Sequence, residues 1–384
     1  MRIVADENIP LLESFFGDIG EIRPVSGRTM SAADVQNADI LLVRSVTRVN
    51  QALLEGSRVR FVGTCTIGTD HVDQKWLESS GIAFSAAPGC NANSVVEYVL
   101  SVISLHAEKR GVADWSKLSV GIVGAGNVGG ELARKLDRLG FNVRLCDPPR
   151  AEREGDEGEK FVSLDEAMAC DVVTLHTPLT REGEHATLHM FGQERLSSLT
   201  EDQLLINTSR GEVIETSSLL ARLEAPNAPT VVLDVFEHEP RVNAELVEKV
   251  WLVTPHIAGY SLEGKVQGSE VVYQALSRYM GLPARKKAGQ FLPEPALSKL
   301  SFTSAAEEMA SANIAIRSCY DPRQDDARMR LAMALQPEDR AQAFDRLRRD
   351  YPVRREFSSL KIQLKGTSKS MQDTFRALGF KLKL

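Results

Sequence analysis

Cysteines are few in this sequence and form no recognisable pair. The five are scattered along the chain, as Cys65, Cys90, Cys146, Cys170 and Cys319. They are odd in number and never spaced as CxxC, so neither a disulfide framework nor a zinc site is expected. We interpret them as small apolar packing residues.

Long apolar runs and an excess of basic charge are also missing. No uninterrupted apolar stretch reaches the ~18 residues that a membrane-spanning helix needs. Lys and Arg number 46 against 52 Asp and Glu, a net charge of −6, which does not favour nucleic acid. Residues 1–10 lack the basic region and apolar core of a signal peptide. We therefore expect a cytoplasmic protein that contacts neither membrane nor nucleic acid.

Short apolar runs that alternate with helical stretches are abundant. A length of 384 residues predicts two or three domains. Strands are predicted at 3–5, 40–43, 61–64, 120–123, 142–146, 172–176, 204–207, 231–235 and 251–254. Several are continuously apolar, as in strands buried on both faces of a parallel sheet. The alternation predicts an α/β fold with two doubly wound, Rossmann-like parallel sheets.

Two helices mark the passages between the predicted domains. A mostly apolar helix at about 93–109 follows Pro88-Gly89, and a second helix is predicted at about 262–279. We predict one domain from residues 1–95 and 262–285 and another from residues 96–261. Prolines in the 283–295 stretch indicate a linker, and the alternating run 360–364 indicates that residues 286–384 form a small folded α+β domain.

A glycine-rich turn follows the predicted strand 120–123 and runs into a helix. Gly124 permits the tight turn, Gly126 lets the backbone approach a pyrophosphate, and Gly129 lets helix and strand pack closely. Asp147 ends the next strand, where its carboxylate can bind the adenosine ribose and repel a 2′-phosphate. We predict NAD as the cofactor, with two nearby arginines leaving NADP as an alternative. The predicted ligands are Gly124, Gly126, Asn127, Val128, Gly129 and Asp147.

Three polar segments follow later strands, at 207–211, 234–240 and 254–259. Ligands bind at this edge of an open α/β sheet. Arg210 can grip a carboxylate and an adjacent oxygen through paired hydrogen bonds. His256 can take a hydroxyl proton while hydride leaves the carbon, and Glu239 on its other nitrogen would fix the tautomer. We interpret the neighbouring Glu237 and His238 as solvated loop residues.

The glycine fingerprint and these three segments together resemble the D-isomer-specific 2-hydroxyacid dehydrogenases over about residues 1–290. The resemblance implies Arg210 as substrate anchor, Glu239 as the orienting carboxylate and His256 as the acid/base, with no metal. It implies that residues 1–95 and 262–285 bind substrate and that residues 96–261 bind NAD. Further cofactor contacts are implied at Thr177, Thr208, Ser209, Asp234 and Gly259.

Two N-terminal loops, at 43–47 and 63–73, face the substrate in that family. They carry hydroxyls, glycine amides and Arg44, which suit an anionic substrate. We predict substrate contacts at Arg44, Ser45, Thr66 and Tyr260. A surface cation remains the alternative for Arg44, and plain turn chemistry the alternative for Ser45 and Thr66.

A longer pattern resembles one branch of this family over the full chain. It comprises residues 1–10, 44–47, 67–71, 257–265 and the C-terminal extension. Members of that branch use NAD to oxidise 4-phospho-D-erythronate to the 2-oxo acid in pyridoxal 5′-phosphate biosynthesis. Their additional C-terminal domain forms a homodimer. The resemblance implies the same phosphorylated substrate and self-association for this chain.

Two other functions stay open at this point. A D-3-phosphoglycerate dehydrogenase-like activity also pairs a 2-hydroxy carboxylate with a phosphate. A compact βαββαβ regulatory tail would favour it, whereas residues 290–384 read as mostly helical. A non-catalytic NAD-sensing module on the same fold would be favoured by loss of Arg210, Glu239 or His256, and all three are present.

Overall fold

The computed structural model describes residues 1–155 and 160–383. Within them the strands are β1 (Arg2–Asp6), β2 (Glu21–Val25), β3 (Ile40–Val43), β4 (Phe61–Thr64), β5 (Ala83–Ser85), β6 (Ser119–Val123), β7 (Asn142–Cys146), β8 (Val172–Leu175), β9 (Leu204–Asn207), β10 (Thr230–Leu233), β11 (Leu252–Val253), β12 (Lys299–Thr303), β13 (Lys361–Lys365) and β14 (Lys381–Lys383). The helices are α1 (Leu12–Phe16), α2 (Ala32–Val35), α3 (Gln51–Leu54), α4 (Gln74–Ser79), α5 (Ala92–Lys109), α6 (Asn127–Arg138), α7 (Pro148–Glu154), α8 (Leu164–Met168), α9 (Gln193–Ser198), α10 (Thr216–Glu224), α11 (Ala244–Lys249), α12 (Leu262–Tyr279), α13 (Glu308–Cys319), α14 (Arg323–Met333), α15 (Pro337–Arg349) and α16 (Lys369–Leu378).

The chain folds into two compact units. The first unit comprises residues 1–93 and 260–294, and the second unit comprises residues 94–259 and 295–384. None of the helices in the described parts of the chain combines the length and apolar character needed to cross a membrane.

The first unit is built on a five-stranded parallel sheet with the order β2-β1-β3-β4-β5. Alternate side chains of β3 enter different cores, because successive residues of a strand point to opposite faces. Leu42 packs with Phe15 of α1 and Tyr273 of α12. Leu41 packs on the other face with Val35 of α2. Helices on both faces explain why this strand is wholly apolar.

The second unit contains a six-stranded parallel sheet with the order β11-β10-β9-β8-β6-β7. The strand order reverses beside β6, which has β7 on one side and β8 on the other. Ligands of doubly wound sheets bind at such a switch point, outside the carboxyl ends of the strands. The loop from β6 to α6, which carries the glycine fingerprint, lies at this position.

Residues 295–383 fold against the edge of that six-stranded sheet. Helices α14 and α15 contribute Met329 and Phe344 to the core of the second unit. The Asp326 carboxylate accepts the N–H of Val253 at 2.9 Å, so a side chain of α14 satisfies the short edge strand β11. The remaining strands form a parallel sheet with the order β12-β13-β14.

The structure confirms the predicted fold class, and each predicted strand overlaps an observed one. Four strands were missed: β2, β5, β12 and β14. Each lies at the edge of its sheet and has a partly exposed pattern, so none produces a continuous apolar run. The cysteines are free, with Cys65, Cys146 and Cys170 buried, in agreement with a packing role. The three-domain division stays a prediction.

Candidate active site

The loop after β6 has the geometry of a dinucleotide fingerprint. Gly124 has φ = +96°, and a Cβ there would lie 2.6 Å from the carbonyl oxygen of His176. A Cβ on Gly129 would lie 1.9 Å from the Gly124 carbonyl oxygen, so α6 packs on the turn only because this residue is glycine. A Cβ on Gly126 would meet no atom within 4 Å. The N-terminal turn of α6, which begins with Asn127 and Val128, therefore has an open face for phosphate.

Asp147 lies between the end of β7 and the start of α7. Its Oδ2 accepts the N–H of Ala125 at 2.8 Å, and its Oδ1 accepts the N–H of Arg150 at 3.0 Å. Arg150 in turn donates from Nη1 to the carbonyl of Ala125 at 2.9 Å. The predicted ribose ligand thus also fixes the fingerprint turn, and each carboxylate oxygen retains a lone pair for a further donor.

A pocket of about 360 Å³ opens beside Asp147. Gly124, Gly126 and Asp147 line one part of it, and the segment that follows β8 lines another. Its apolar wall includes Pro148, Pro149, Leu164, Ala186 and Met190. This wall can hold an adenine ring next to a carboxylate placed for the ribose hydroxyls. These five residues were not predicted from the sequence, although the Pro-Pro pair directly after Asp147 is a visible signal.

The segment after β8 presents a hydroxyl that the protein itself leaves unused. Thr177 Oγ1 is buried and finds no hydrogen-bond partner within the described residues, although the residue lines the same pocket. Beside it, the ring of His176 contacts Thr174 Oγ1 at 2.9 Å and Thr208 Oγ1 at 3.3 Å. A buried polar atom needs a partner. An open phosphate-binding turn, a ribose carboxylate and this hydroxyl together fit a dinucleotide.

The loop after β9 is held rigid by a buried amide. Asn207 Oδ1 accepts from the backbone N–H and the hydroxyl of Ser209, at 3.0 and 2.8 Å. Its Nδ2 donates to the carbonyl of Arg210 at 2.9 Å. The Ser209 hydroxyl therefore acts within the loop, and the backbone of Arg210 is fixed from the strand end. Asn207 was not predicted as a site residue, although it is the first residue of the polar segment 207–211.

The next glycine brings two of the polar segments into contact. A Cβ on Gly211 would lie 1.9 Å from the carbonyl carbon of Phe236. Any side chain at this position would therefore separate the loop of Arg210 from the loop of Glu239. The motif can be recognised in the sequence, but the close approach of Phe236 that requires glycine at position 211 cannot.

His256 and Glu239 form the pair predicted from the sequence. The Nδ1 of His256 lies 2.7 Å from Glu239 Oε2, and Glu239 Oε1 accepts the N–H of Phe236 at 3.0 Å. Burial raises the pKa of Glu239, but the charge and hydrogen bond of His256, aided by Arg348, outweigh it, so the pKa lies below its ordinary value. The imidazole thus meets an ionised carboxylate on one nitrogen, which leaves Nε2 for a ligand.

The two neighbouring candidates differ from each other. His238 is exposed, as the sequence analysis expected. Glu237 is only 11 % exposed, and the interpretation as a solvated residue was wrong. Its carboxylate contacts His189 Nε2 at 2.7 Å and accepts the N–H of Thr216 at 2.8 Å. It ties this loop to neighbouring segments, a long-range role without a local sequence signature.

Asp234 supports the loop that carries His256. Its Oδ1 accepts from the hydroxyl of Thr254 at 2.6 Å and from the N–H of Ile257 at 2.8 Å. Its Oδ2 accepts the N–H of Ala258 at 2.9 Å. Burial raises the pKa of Asp234 to about 6. Asp234 thus acts on the protein's own loop, and contacts of Asp234 or Gly259 with the cofactor stay predictions.

In the first unit, Arg44, Ser45 and Thr66 lie in loops that follow strands β3 and β4, and Tyr260 lies just before helix α12. Arg44 Nε donates to the buried Asp6 carboxylate at 3.1 Å, and Ser45 beside it is exposed. Thr66 Oγ1 lies 2.8 Å from Thr64 Oγ1, directly after β4. The ring of Tyr260 has Lys265 Nζ 4.3 Å from its centroid. Asp6, which orients Arg44, was not predicted, because nothing local links positions 6 and 44.

Comparison with known proteins places these features in a family. A family model described as the NAD binding domain of D-isomer specific 2-hydroxyacid dehydrogenases matches residues 103–258. A second model, described only as a domain of unknown function, matches residues 291–379. The erythronate-4-phosphate dehydrogenase of Marinobacter nauticus is 71 % identical over 384 residues, 100 % of both chains. That of Pseudomonas fluorescens is 48 % identical over 380 residues, 99 % of each chain.

Solved structures agree at the level of the fold. The D-lactate dehydrogenase of Aquifex aeolicus, complexed with NAD and lactic acid, has a TM-score of 0.59 at 22 % identity. The match covers 73 % of this chain and 96 % of that one. The full-length likeness to the curated relatives includes the C-terminal segment. The chain therefore belongs to the erythronate-4-phosphate dehydrogenases, within the D-isomer specific 2-hydroxyacid dehydrogenase family.

Proposed function

We propose that this chain oxidises 4-phospho-D-erythronate to 2-oxo-3-hydroxy-4-phosphobutanoate with NAD, a step of pyridoxal 5′-phosphate biosynthesis. The observation that carries the proposal is the 2.7 Å contact between His256 and Glu239 in the same compact unit as the glycine fingerprint. The substrate assignment rests on relatives that match the whole chain and bear this activity in their names. A dehydrogenase of this class needs a base for a hydroxyl proton, and the pair supplies it.

His256 acts first as the base and then holds the proton. Because Nδ1 faces Glu239, Nε2 is the nitrogen that takes the proton from the substrate 2-hydroxyl. Glu239 stays ionised, keeps the tautomer fixed and stabilises the imidazolium that forms. General acid–base catalysis of this kind contributes about 10²- to 10⁴-fold to the rate.

Arg210 anchors the substrate carboxylate and polarises the oxygen at C2. A guanidinium can offer parallel donors to two oxygens, and this orients the C–H bond that is broken. Asn207 fixes the Arg210 backbone, and with it the start of the arginine side chain, before the substrate arrives. An arginine and a histidine together suffice for charge and proton, so no metal is assigned a role.

The dinucleotide ligands are assigned to the second unit. Gly124, Gly126, Asn127, Val128 and Gly129 form the turn and helix start for the pyrophosphate, and Asp147 binds the ribose. Thr177, Thr208, Ser209, Asp234 and Gly259 are assigned to the nicotinamide end. The buried Thr177 hydroxyl lines the same pocket as Asp147, which supports a cofactor contact at this residue. When bound, NAD⁺ supplies the acceptor for the hydride that leaves C2 of the substrate.

We assign the phosphate end of the substrate to the first unit. Arg44, Ser45 and Tyr260 are the proposed contacts there, whereas Thr66, in the 66–69 loop, is assigned to the carboxylate end. Asp6 holds the Nε edge of Arg44, so the guanidinium is oriented before a phosphate binds. Lys265 beside Tyr260 adds a second positive charge.

Self-association and location complete the proposal. We assign the C-terminal segment to a homodimer contact, because Leu331 is 72 % exposed and Leu335 is 40 % exposed. Both line an open pocket between α14 and α15 with Leu347. Exposed apolar patches of this kind mark interfaces. We place the protein in the cytoplasm and assign it neither nucleic-acid nor membrane partners.

A spectrophotometric assay tests the function. The purified protein is mixed with NAD⁺ and 4-phospho-D-erythronate, and NADH is followed at 340 nm; 3-phosphoglycerate and unphosphorylated erythronate are run in parallel. We expect the highest kcat/KM for 4-phospho-D-erythronate. A preference for 3-phosphoglycerate would replace the proposed substrate, and NAD binding without turnover of any of the three would contradict an enzymatic role.

A further inference from the structure

The segment that carries the catalytic histidine has an unusual backbone. His256 lies at φ = +57°, in the left-handed region that residues other than glycine rarely occupy. Such a conformation is unfavourable and persists only where the surroundings impose it. The groups that hold residues 257 and 258 therefore determine where the His256 imidazole lies.

One side of this segment is held by a buried anion. The Asp234 carboxylate accepts both backbone N–H groups that follow His256, those of Ile257 and Ala258. It also accepts from Thr254, whose Oγ1 lies 2.8 Å from the hydroxyl of the buried Tyr98. The amide side of the loop is thus fixed by groups of the six-stranded sheet and helix α5.

The other side is held by a buried cation from the C-terminal segment. Arg354 is 5 % exposed, and its Nη1 donates to the carbonyl of Ala258 at 3.0 Å and, at the longer distance of 3.5 Å, to that of Ile257. Its Nη2 donates to the carbonyl of Ser94 at 2.5 Å. The guanidinium carbon lies 3.9 Å from the centroid of the Tyr320 ring. One planar group therefore joins the loop to the start of helix α5.

This placement is more specific than stability requires. A buried ionic network is often replaceable by apolar residues without loss of stability, so burial of Arg354 alone is weak evidence for a stabilising role. What an apolar residue cannot do is donate to carbonyls of two different segments at once. The fork of a guanidinium is rigid, whereas an ammonium is a single point charge on a flexible stem.

Two acidic residues complete the surroundings of this arginine. The Ser94 hydroxyl donates to Glu356 at 3.0 Å, and the N–H of Phe357 donates to both Glu97 oxygens at 3.0 Å. Helix α5 thus holds residues 356 and 357, which follow Arg354 in the chain. These contacts with α5 fix the chain next to Arg354. The Arg354 guanidinium in turn contacts the loop at residues 257 and 258.

We propose that Arg354 is a positioning residue for His256: its guanidinium holds the carbonyls of residues 257 and 258 while Asp234 holds their amides. The C-terminal segment is then part of the catalytic scaffold, a role separate from self-association. Arg354 acts through the backbone of the loop and touches neither substrate nor cofactor. The effect of Arg354 on catalysis rests on the proposed function, whereas its holding of the loop can be measured without turnover.

Arg354→Lys is the first test, with Arg349→Lys as the matched control. Arg349 lies on the same segment, where it is exposed and paired with Asp350. Displacement of a catalytic group by ~1 Å costs about 10²-fold in rate. We expect kcat of Arg354→Lys to fall by about 10- to 100-fold with KM for NAD unchanged, and Arg349→Lys to match the wild type. An unchanged kcat in Arg354→Lys would overturn the proposal.

Chemical rescue distinguishes positioning from a general loss of stability. Arg354→Ala is assayed with increasing guanidinium chloride below the unfolding range, and with urea at the same concentrations. We expect guanidinium to restore part of kcat and urea to restore none, because only guanidinium can occupy the vacated donor position. No rescue, combined with lost NAD binding in both Arg354 variants, would overturn the proposal in favour of a purely structural role.

Amide hydrogen exchange tests the holding of the loop independently of any substrate. Peptides that cover residues 252–260 are compared with peptides that cover the fingerprint at 120–130, in wild type and Arg354→Lys. We expect faster exchange in the first set and unchanged exchange in the second. Equal exchange of the 252–260 peptides in wild type and Arg354→Lys would overturn the proposal even if kcat fell. If the wild type turns over no 4-phospho-D-erythronate, but exchange in residues 252–260 is still faster in Arg354→Lys, the proposed function fails and the holding of the loop by Arg354 stands.

Discussion

The carboxylate of Asp147 accepts the backbone N–H of Ala125 at 2.8 Å, which links the end of β7 to the middle of the glycine fingerprint. The residue proposed to select the cofactor therefore also shapes the turn that binds its phosphates. A substitution here removes a ribose ligand and a support of the turn together. Weaker NAD binding in such a variant can come from either loss, so a second variant is needed to separate the ribose contact from the support of the turn.

We predict that Asp147→Ala weakens NAD and relaxes discrimination against NADP. A hydrogen bond to a charged group contributes about 1.5–3 kcal/mol, so the loss of NAD affinity is about 10- to 100-fold. Asp147→Asn retains a carbonyl oxygen for Ala125 and loses the charge that repels a 2′-phosphate, although its NH2 group then faces the N–H of Arg150. We expect the NADP to NAD ratio of kcat/KM to rise in both variants. An unchanged ratio would show that Asp147 does not contact the ribose.

We predict that His256→Gln abolishes turnover while NAD binding survives. The fingerprint and the pocket beside Asp147 contain no atom of His256, so fluorescence titration with NADH gives a near-wild-type Kd. Loss of a general base lowers kcat by about 10²- to 10⁴-fold. His238→Gln is the control, because that histidine lies on the Glu239 loop and is exposed. Near-normal kcat in His256→Gln would remove the assignment.

Much of this site could be predicted from the sequence, because its parts are local. A glycine fingerprint between a strand and a helix reports a turn that only certain residues allow, and Gly124 and Gly129 lie where a Cβ would collide. The polar segments follow apolar strands directly, so their place at the sheet edge follows from the parallel topology. The 2.7 Å pair of Glu239 and His256 was inferable in this way.

What the sequence did not reveal depends on contacts between distant segments. Arg354 contacts the carbonyl of Ala258, 96 positions away, and Asp6 contacts Arg44, 38 positions away. Neither arginine carries a local signature that distinguishes it from a solvated surface charge. Edge strands such as β2 were missed for a related reason: Pro24 and exposed polar residues remove the apolar run, although the backbone still pairs along one side.

We predict that His176 makes stability depend on pH. Desolvation lowers the pKa of His176 to about 3. Below the ordinary value of about 6.5 the unfolded chain binds a proton that the folded chain refuses, so stability falls as pH drops from 6.5 towards 3. The slope reaches at most about 1.4 kcal/mol per pH unit. His176→Gln removes this pH dependence. In urea unfolding, the free energy of unfolding of the wild type should therefore exceed that of the variant by less at pH 5 than at pH 7. The same gap at both values would contradict this.

We predict that Phe344→Ala destabilises the second unit strongly. Phe344 is fully buried, and its ring lies edge-on to that of Phe236, 6.4 Å between centroids. Truncation of a buried phenylalanine costs about 3–5 kcal/mol. Ile314→Ala serves as the control, because Ile314 is 53 % exposed and lies in the same C-terminal segment. Urea unfolding followed by circular dichroism measures both. Equal effects of the two substitutions would mean that α15 does not belong to this core.

The two arginines proposed for opposite ends of the substrate can be separated by kinetics. If Arg44 binds the phosphate, Arg44→Ala should reduce kcat/KM for 4-phospho-D-erythronate far more than for unphosphorylated erythronate. A charge-assisted hydrogen bond contributes about 1.5–3 kcal/mol, or about 10- to 100-fold in kcat/KM. Arg210→Ala should reduce both values, since both substrates carry the carboxylate and the 2-hydroxyl.

Asp6 provides an internal check on that comparison. Its buried carboxylate orients the Arg44 guanidinium through Nε, so Asp6→Asn should show the same preference as Arg44→Ala in weaker form. Arg48→Ala is the matched control, because Arg48 is an exposed arginine just after the same loop. Equal losses on both substrates in Arg44→Ala would show that this arginine does not bind the phosphate. The arginines of residues 346–355 other than Arg349 and Arg354 would then be the next candidates, and the same pair of substrates would test each of them.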